Sequence, residues 1–191
     1  MRNIKKSICA VAVVVAAVFG TYTMQDTPRR SAPTTLAPEG NPLRFSKRAM
    51  EVIGDAEGCR RGPYMCPANR LTAGIGHAGK DVRAGVGVYS LEQITKWYAE
   101  DLFGAQECLE KYVEDKLGKQ LPPGVFDAFG SFVFNMGCAK FRSYPVYTLL
   151  LKQEYSAACA RLPLYVYGGG VKLPGLVDRR GKEKALCLAQ P

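Results

Sequence analysis

The sequence predicts an α+β architecture: a small β-sheet lobe, then a mainly α-helical lobe, preceded by an apolar N-terminal helix. Three observations predict it. Residues 7–25 carry no charge. Residues 59–80 are rich in Gly and Pro and lack helical periodicity, which marks short strands and turns. From residue 90 onward, helix signals follow one another. Strands followed by helices segregate into two lobes, with a cleft between them.

The N-terminal run comes first. At 1.5 Å per helical residue, residues 7–25 span roughly 28 Å, close to the thickness of a bilayer core. The run is Ala and Val with Gly20, Thr21 and Thr23, and it holds no Leu, so lipid grips it weakly. Arg2, Lys5 and Lys6 favour a cytoplasmic N-terminus and export of the rest, and Arg29 and Arg30 oppose that bias. A cleaved signal peptide is the alternative. Ala16, Ala17 and Gly20 permit it, but no Ala-x-Ala precedes the linker. Residues 26–43 are Pro-rich and read as an extended linker. The expected division is a membrane segment over 1–25, a linker over 26–43 and a folded domain over 44–191.

Within that domain, Ser46 caps a helix whose Ala49, Met50, Ile53 and Ala56 share one face. Gly58 ends it and leaves Glu57 at its tip. Ser90 with Gln93 forms a capping box opening a helix to about residue 103, and a second helix is expected from about 105 to 117. Pro122 and Pro123 precede Phe126, Phe129, Phe132, Val133 and Phe134. That run is apolar almost all round, so it reads as a central buried helix. Further helices are expected from Pro145 to about Lys152, from Tyr155 to Leu162, and from Leu176 to Leu188.

With 191 residues, 47% apolar and 23% charged, the chain suffices for one soluble domain with a real core. Its net charge of +9 favours a polyanion: nucleic acid, anionic lipid or anionic cell wall. No arginine-aromatic repeat or zinc spacing supports nucleic acid. A lone histidine, His77, and no paired-cysteine spacing argue against a metal site, and no cofactor is expected. Seven cysteines in an exported chain suggest three disulfides and one thiol. Spacing does not give connectivity. Helix placement favours Cys159 with Cys187 on two C-terminal helices, and Cys108 with Cys138 flanking the central one.

The chemistry concentrates in one segment. Glu57, Cys66 and Thr72 put an acid, a thiol and a hydroxyl on a short, turn-rich stretch that ends Thr72-Ala-Gly-Ile-Gly-His77. This spacing resembles the phage lysozymes of glycoside hydrolase family 24, with Cys66 where most members carry Asp. The segments Ser131-Phe-Val-Phe-Asn-Met-Gly137, Phe141-Arg-Ser and Leu173-Pro-Gly-Leu-Val-Asp-Arg-Arg180 extend the likeness over about residues 45–190. The family often has Trp where this chain has Tyr165-Val-Tyr167. Cys59 and the membrane-placed Cys9 make the chain resemble the signal-arrest-release endolysins within that group.

The resemblance implies a lysozyme-like two-lobed fold. It also implies a monomer cutting the β-1,4 bond between N-acetylmuramic acid and N-acetylglucosamine in peptidoglycan. Glu57 would be the general acid, which a partly apolar cleft suits, and a thiolate at Cys66 can attack or stabilise an oxocarbenium-like centre. Thr72 would orient a water. His77 would support the acid through hydrogen bonding, and Tyr64 would line the sugar cleft. The enzyme would sit in the host inner membrane through residues 7–25, with its N-terminus cytoplasmic, and then be released to the periplasm. Cys59 would pair with Cys66 before release and with Cys9 after it. A catalytically dead, membrane-tethered cell-wall-binding protein is the alternative of a different class. A chitinase-like hydrolase is a third reading.

Overall fold

The computed structural model describes residues 8–22, 42–66 and 69–189. Most of the expected linker over 26–43 lies outside them, as do the ends of the charge-free run. Within that run, α1 (Val11–Tyr22) is helical. No described helix is long and apolar enough to cross a membrane. Instead, α1 lies against the domain with Val14, Val15 and Val18 buried. Full burial of each valine is worth about 1.5–3 kcal/mol.

α2 (Lys47–Glu57) has the caps its sequence specifies. Ser46 Oγ accepts from the Ala49 N–H at 3.1 Å, and the Ser46 N–H donates to Asp127 at 3.0 Å. Gly58 takes φ +69°, which a Cβ would oppose, and turns the chain out of the helix directly after Glu57. Gly54 of α2 faces α1 so closely that a Cβ there would sit 2.4 Å from Val11 Cγ1.

β1 (Arg60–Met65) and β2 (Leu71–Gly74) form an antiparallel hairpin with Tyr64 opposite Thr72. The register shifts between Arg60 and Tyr64, where Pro63 has no N–H to give the ladder. Ile8 bridges to Arg60, so the N-terminal segment adds a short third edge to this lobe.

α3 (Leu91–Leu109) is capped by Ser90, whose Oγ accepts from the Gln93 N–H at 3.0 Å. The break expected near residue 104 is absent. The helix runs on through a π-helical turn (Glu110–Glu114) into α4 (Asp115–Leu117) and stops at Gly118, φ +63°. A glycine inside a helix costs about 1 kcal/mol. Burial of Ile94, Trp97, Tyr98, Leu102 and Leu109 along α3 outweighs that cost at Gly104. The π-helical turn brings Glu110 and Glu114 onto Arg44, which also lies 4.1 Å over the Phe126 ring. Gln106 ties the backbone of Pro42 and Arg44, and Leu43 is buried.

α5 (Pro123–Met136) is the central buried helix, wrapped by α3, α2 and the C-terminal helices. Gly137, φ +80°, ends it, and a short helix absent from the sequence expectation follows, α6 (Cys138–Ser143). α7 (Pro145–Leu151) and α8 (Tyr155–Arg161) come next. A hairpin of β3 (Tyr167–Gly168) and β4 (Val171–Lys172), turning on Gly169 and Gly170, leads to α9 (Pro174–Leu188). α9 starts two residues earlier than expected because Pro174 suits the first helical turn.

Candidate active site

Glu57 is the last residue of α2, and its side chain is about one-quarter exposed. Its Oε1 accepts from Arg179 Nη1 of α9 at 2.6 Å. Its other oxygen lies over Gly76, where a Cβ would come within 3.0 Å of Oε2. Gly76 has φ +75°, so both its backbone and its missing side chain serve this contact.

Behind Glu57 runs a buried chain of alternating charge. Arg179 Nε donates to Glu183 Oε1 at 3.1 Å, and its Nη2 donates to the Ser131 carbonyl at 3.0 Å. Glu183 is fully buried and also accepts from Ser131 Oγ at 2.7 Å and from Arg180. Arg180 donates to Asn135 Oδ1 at 2.6 Å and to the Tyr165 carbonyl at 3.2 Å, with Phe132 beneath it. Burial lowers the Arg180 pKa, and Glu183 opposes that shift. Two arginines and two glutamates balance, which lets this charge stay in the core.

Cys66 follows β1 directly. Its N–H donates to the Arg70 carbonyl and its carbonyl accepts from the Asn69 N–H, both at 2.9 Å. Cys66 is half-buried and not disulfide-bonded. Residues two apart on a strand, and residues directly opposite across a ladder, share one face. Tyr64, opposite Thr72, therefore shares its face of the hairpin lobe, and Cys66 follows with its backbone still bonded to Arg70. Thr72 is nearly fully buried, and its Oγ1 donates to the Arg70 carbonyl at 3.0 Å. Burial raises the Tyr64 hydroxyl pKa. Arg60, 4.6 Å from the ring, opposes the rise, and the charges of Glu57 and Cys66 add to it.

His77 stands apart from this group. Its backbone pairs with Ala73, and its ring stacks on Trp97 at 4.7 Å. Nδ1 lies 3.0 and 3.1 Å from the two Asp101 oxygens, and Nε2 lies 3.1 Å from Asp81. Trp97 Nε1 donates to the other Asp81 oxygen. Burial works against the charged ring, but the two carboxylates outweigh it and the pKa rises. Both ring nitrogens are thus engaged by Asp101 and Asp81. The hydrogen bond to Glu57 is made instead by Arg179.

Three disulfides are present among the described residues. Cys9–Cys59 joins the segment before α1 to the start of β1, with Cα atoms 5.1 Å apart and a backbone bond from Cys9 N–H to the Cys59 carbonyl at 3.2 Å. Cys108–Cys138 ties α3 to α6, and Cys159–Cys187 ties α8 to α9. Among the described residues, no group of three or more His, Cys, Asp or Glu is arranged to hold a metal.

Sequence reasoning assigned no role to Arg179, Glu183 or Asp101. Arg179 and Glu183 carried a signal: adjacent arginines inside a helix with Glu at the i+4 position of the first. Asp101 carried none.

Comparison with known proteins follows the same lines. The Phage lysozyme family matches residues 54–183. The chain is 35% identical to the SAR-endolysin of Escherichia phage P1, over 95% of this chain and 91% of that one. The crystal structure of the active form of the P1 phage endolysin Lyz superimposes with a TM-score of 0.77 at 34% identity, covering 95% of each chain. The secreted inactive form of the same endolysin gives a TM-score of 0.51 at 36% identity, covering 75% of this chain and 95% of that one.

Proposed function

This chain belongs to the phage lysozyme family, and on that premise we propose that Glu57, Cys66 and Thr72 carry its chemistry. It is a peptidoglycan-hydrolysing endolysin, a glycoside hydrolase. Its net charge of +9 suits an anionic cell wall. The dead, membrane-tethered binder is not favoured.

The observation that carries the assignment is the setting of Glu57. Arg179 holds Oε1, and Gly76 lets the chain pass close under Oε2. One carboxylate oxygen is fixed, and the other is left to carry the proton. Glu57 gives that proton to the glycosidic oxygen, and the bond from that oxygen to the anomeric carbon breaks. Cys66 meets the positive charge that develops on the sugar. As nucleophile it forms a thioglycoside that water then opens, with retention. As base for water it gives inversion. Thr72 already donates its hydroxyl proton to Arg70, so toward water it acts only as acceptor, and its role is to orient the attacking water. Tyr64 lines the cleft beside Cys66. His77 braces the loop that presents Gly76.

Residues 1–25 are the membrane segment, 26–43 the linker and 44–191 the catalytic domain, acting as a monomer. Before release, Cys59 pairs with Cys66 and blocks it. On release to the periplasm, the Cys9 thiolate attacks Cys59 Sγ, a Cys9–Cys59 bond forms and Cys66 leaves as thiolate. Disulfide number is conserved, so no oxidant is consumed. The Cys9–Cys59 bond, the seated α1 and the higher TM-score against the active P1 form support reading this structure as the released state.

Glu57→Gln keeps the size of the side chain and removes the transferable proton. The purified variant is expected to fold and to lose clearing of permeabilised Gram-negative cells by at least about a hundredfold. Clearing near the wild-type rate would remove Glu57 as the acid.

A further inference from the structure

α9 carries two adjacent arginines, Arg179 and Arg180, and then Glu183, all three buried. Arg179 spends one guanidinium in three directions. Nε donates to Glu183 Oε1 at 3.1 Å, Nη2 donates to the Ser131 carbonyl of α5 at 3.0 Å, and Nη1 donates to Glu57 Oε1 at 2.6 Å. A guanidinium is planar and rigid, so its two buried acceptors fix the direction in which Nη1 points. Glu183 is itself fixed. Its oxygens accept from Arg179, Arg180 and Ser131 Oγ, and no part of it is exposed.

Charge adds a second constraint. Glu57 must be protonated to act as an acid, and a cation bonded to its Oε1 favours the carboxylate instead. Among the described residues, Arg179 is the cation paired with Glu57. Tyr98 on α3 and Tyr64 on β1 also feel the charge of Glu57. Tyr98 feels Arg179 and Asp55 of α2 besides, and Tyr64 feels Arg60 and Cys66. Glu183 stands between the two arginines and pairs with both, so neither acts as a bare cation. Its grip on Arg179 is shared with Arg180, and that sharing sets how much positive field is left facing Glu57.

We propose that Glu183 is a positioning residue for the reaction: it aims Arg179 at Oε1 of Glu57 and offsets enough of that cation's field for Glu57 to hold the proton it donates. The proposal rests on Glu57 being the general acid. Glu183 is fully buried and acts only through Arg179. A counter-ion that merely let two arginines stay in the core would affect folding and leave the pH dependence of the chemistry unmoved.

The test is the pH dependence of kcat and KM on soluble peptidoglycan fragments, with the protonation of Glu57 followed by carboxyl ¹³C NMR. The Glu57 signal is the one lost in Glu57→Gln. Glu183→Gln keeps the size of the side chain and leaves both arginines uncompensated. The limb on which activity falls as Glu57 loses its proton is expected to move about one unit to lower pH, with the NMR midpoint. Above that limb, kcat is expected to fall about tenfold while KM changes by less than about twofold. Glu183→Asp keeps the charge and shortens the reach, so it is expected to lower kcat and leave the limb in place. Arg180→Gln gives Glu183 to Arg179 alone, so its limb is expected to move to higher pH. That opposite sign decides the matter where Glu183→Gln does not fold. A limb unmoved in Glu183→Gln overturns the proposal, and so does a limb unmoved or lowered in Arg180→Gln. If wild-type activity does not follow the Glu57 signal at all, the acid assignment itself falls. If it does follow and the variants leave the limb where it was, only the role of Glu183 falls.

Discussion

Replacing Gly76 by alanine separates the two demands that its position meets. The first is conformational. Gly76 has φ +75°, and a non-glycine residue in the left-handed region costs about 1–2 kcal/mol. For a domain of this size each kcal/mol lowers Tm by about 2–4 °C, so the melt is expected to fall by about 2–8 °C. The second is steric and falls on Glu57. The new Cβ would stand 3.0 Å from Oε2, 3.3 Å from Cδ and 3.4 Å from Cγ of Glu57. The carboxylate must retreat by a few tenths of an ångström, yet its Oε1 is held by Arg179 at 2.6 Å. A 1 Å error in a catalytic group costs on the order of a hundredfold, so a fall in lytic rate of about ten- to a hundredfold is expected. Gly118→Ala is the control. Gly118 has φ +63°, ends α4, and a Cβ there meets nothing within 4 Å. It carries the same conformational penalty with no contact to the site. The assay pairs thermal melts with turbidity loss of permeabilised cells, read well below either Tm. If Gly76→Ala clears at the wild-type rate, or Gly118→Ala loses as much activity, the geometry assigned to Glu57 is wrong.

Two further perturbations probe the supports of the site. The His77 pKa is raised in the folded state, so the stability it contributes is full below its unfolded value near 6.5 and is lost as pH rises through the folded value. Asp101→Asn is expected to destabilise by about 1–3 kcal/mol at pH 5 and by much less at pH 9, in denaturant melts at each pH. A pH-independent loss would mean that His77 is not the partner that matters. Gly54→Val would drive a side chain into Val11, an overpacking cost of about 1–3 kcal/mol that falls on the seat of α1. Peptide mapping is expected to find less Cys9–Cys59 bond and undiminished Cys108–Cys138 bond. Equal loss of both bonds would show general unfolding instead.

Local signals were legible in the sequence. Ser46, Gly58 and Ser90 act on backbone groups within four residues, so the ends of α2 and the start of α3 could be read directly. The Phe-rich run of α5 announced a buried helix because apolar side chains run almost all round it. The failures were those of competition and distance. Gly104 resembles a break until the burial along α3 is weighed against it. α6 is a single short helix restarting after Gly137, too brief to show a period. Glu57 and Arg179 are separated by 122 positions, and no local pattern joins them. The same holds for His77 and Asp101, so the residues that hold Glu57 and the loop beside it emerge only from the fold. The Glu57–Cys66–Thr72 spacing was visible because all three lie on one hairpin and the helix tip that leads into it.

With Cys9–Cys59 bonded, Cys66 stands outside every disulfide among the described residues, and the proposal is that it then acts with Glu57. Its most direct measurement is the lytic activity of released Cys9→Ser protein in oxidising buffer, read before and after mild reduction. Without Cys9, Cys59 has only Cys66 to pair with. The expected result is a protein that is inactive when oxidised and regains clearing when reduced. Full activity of the oxidised Cys9→Ser protein would contradict the claim and leave Cys9 as a small buried residue in front of α1.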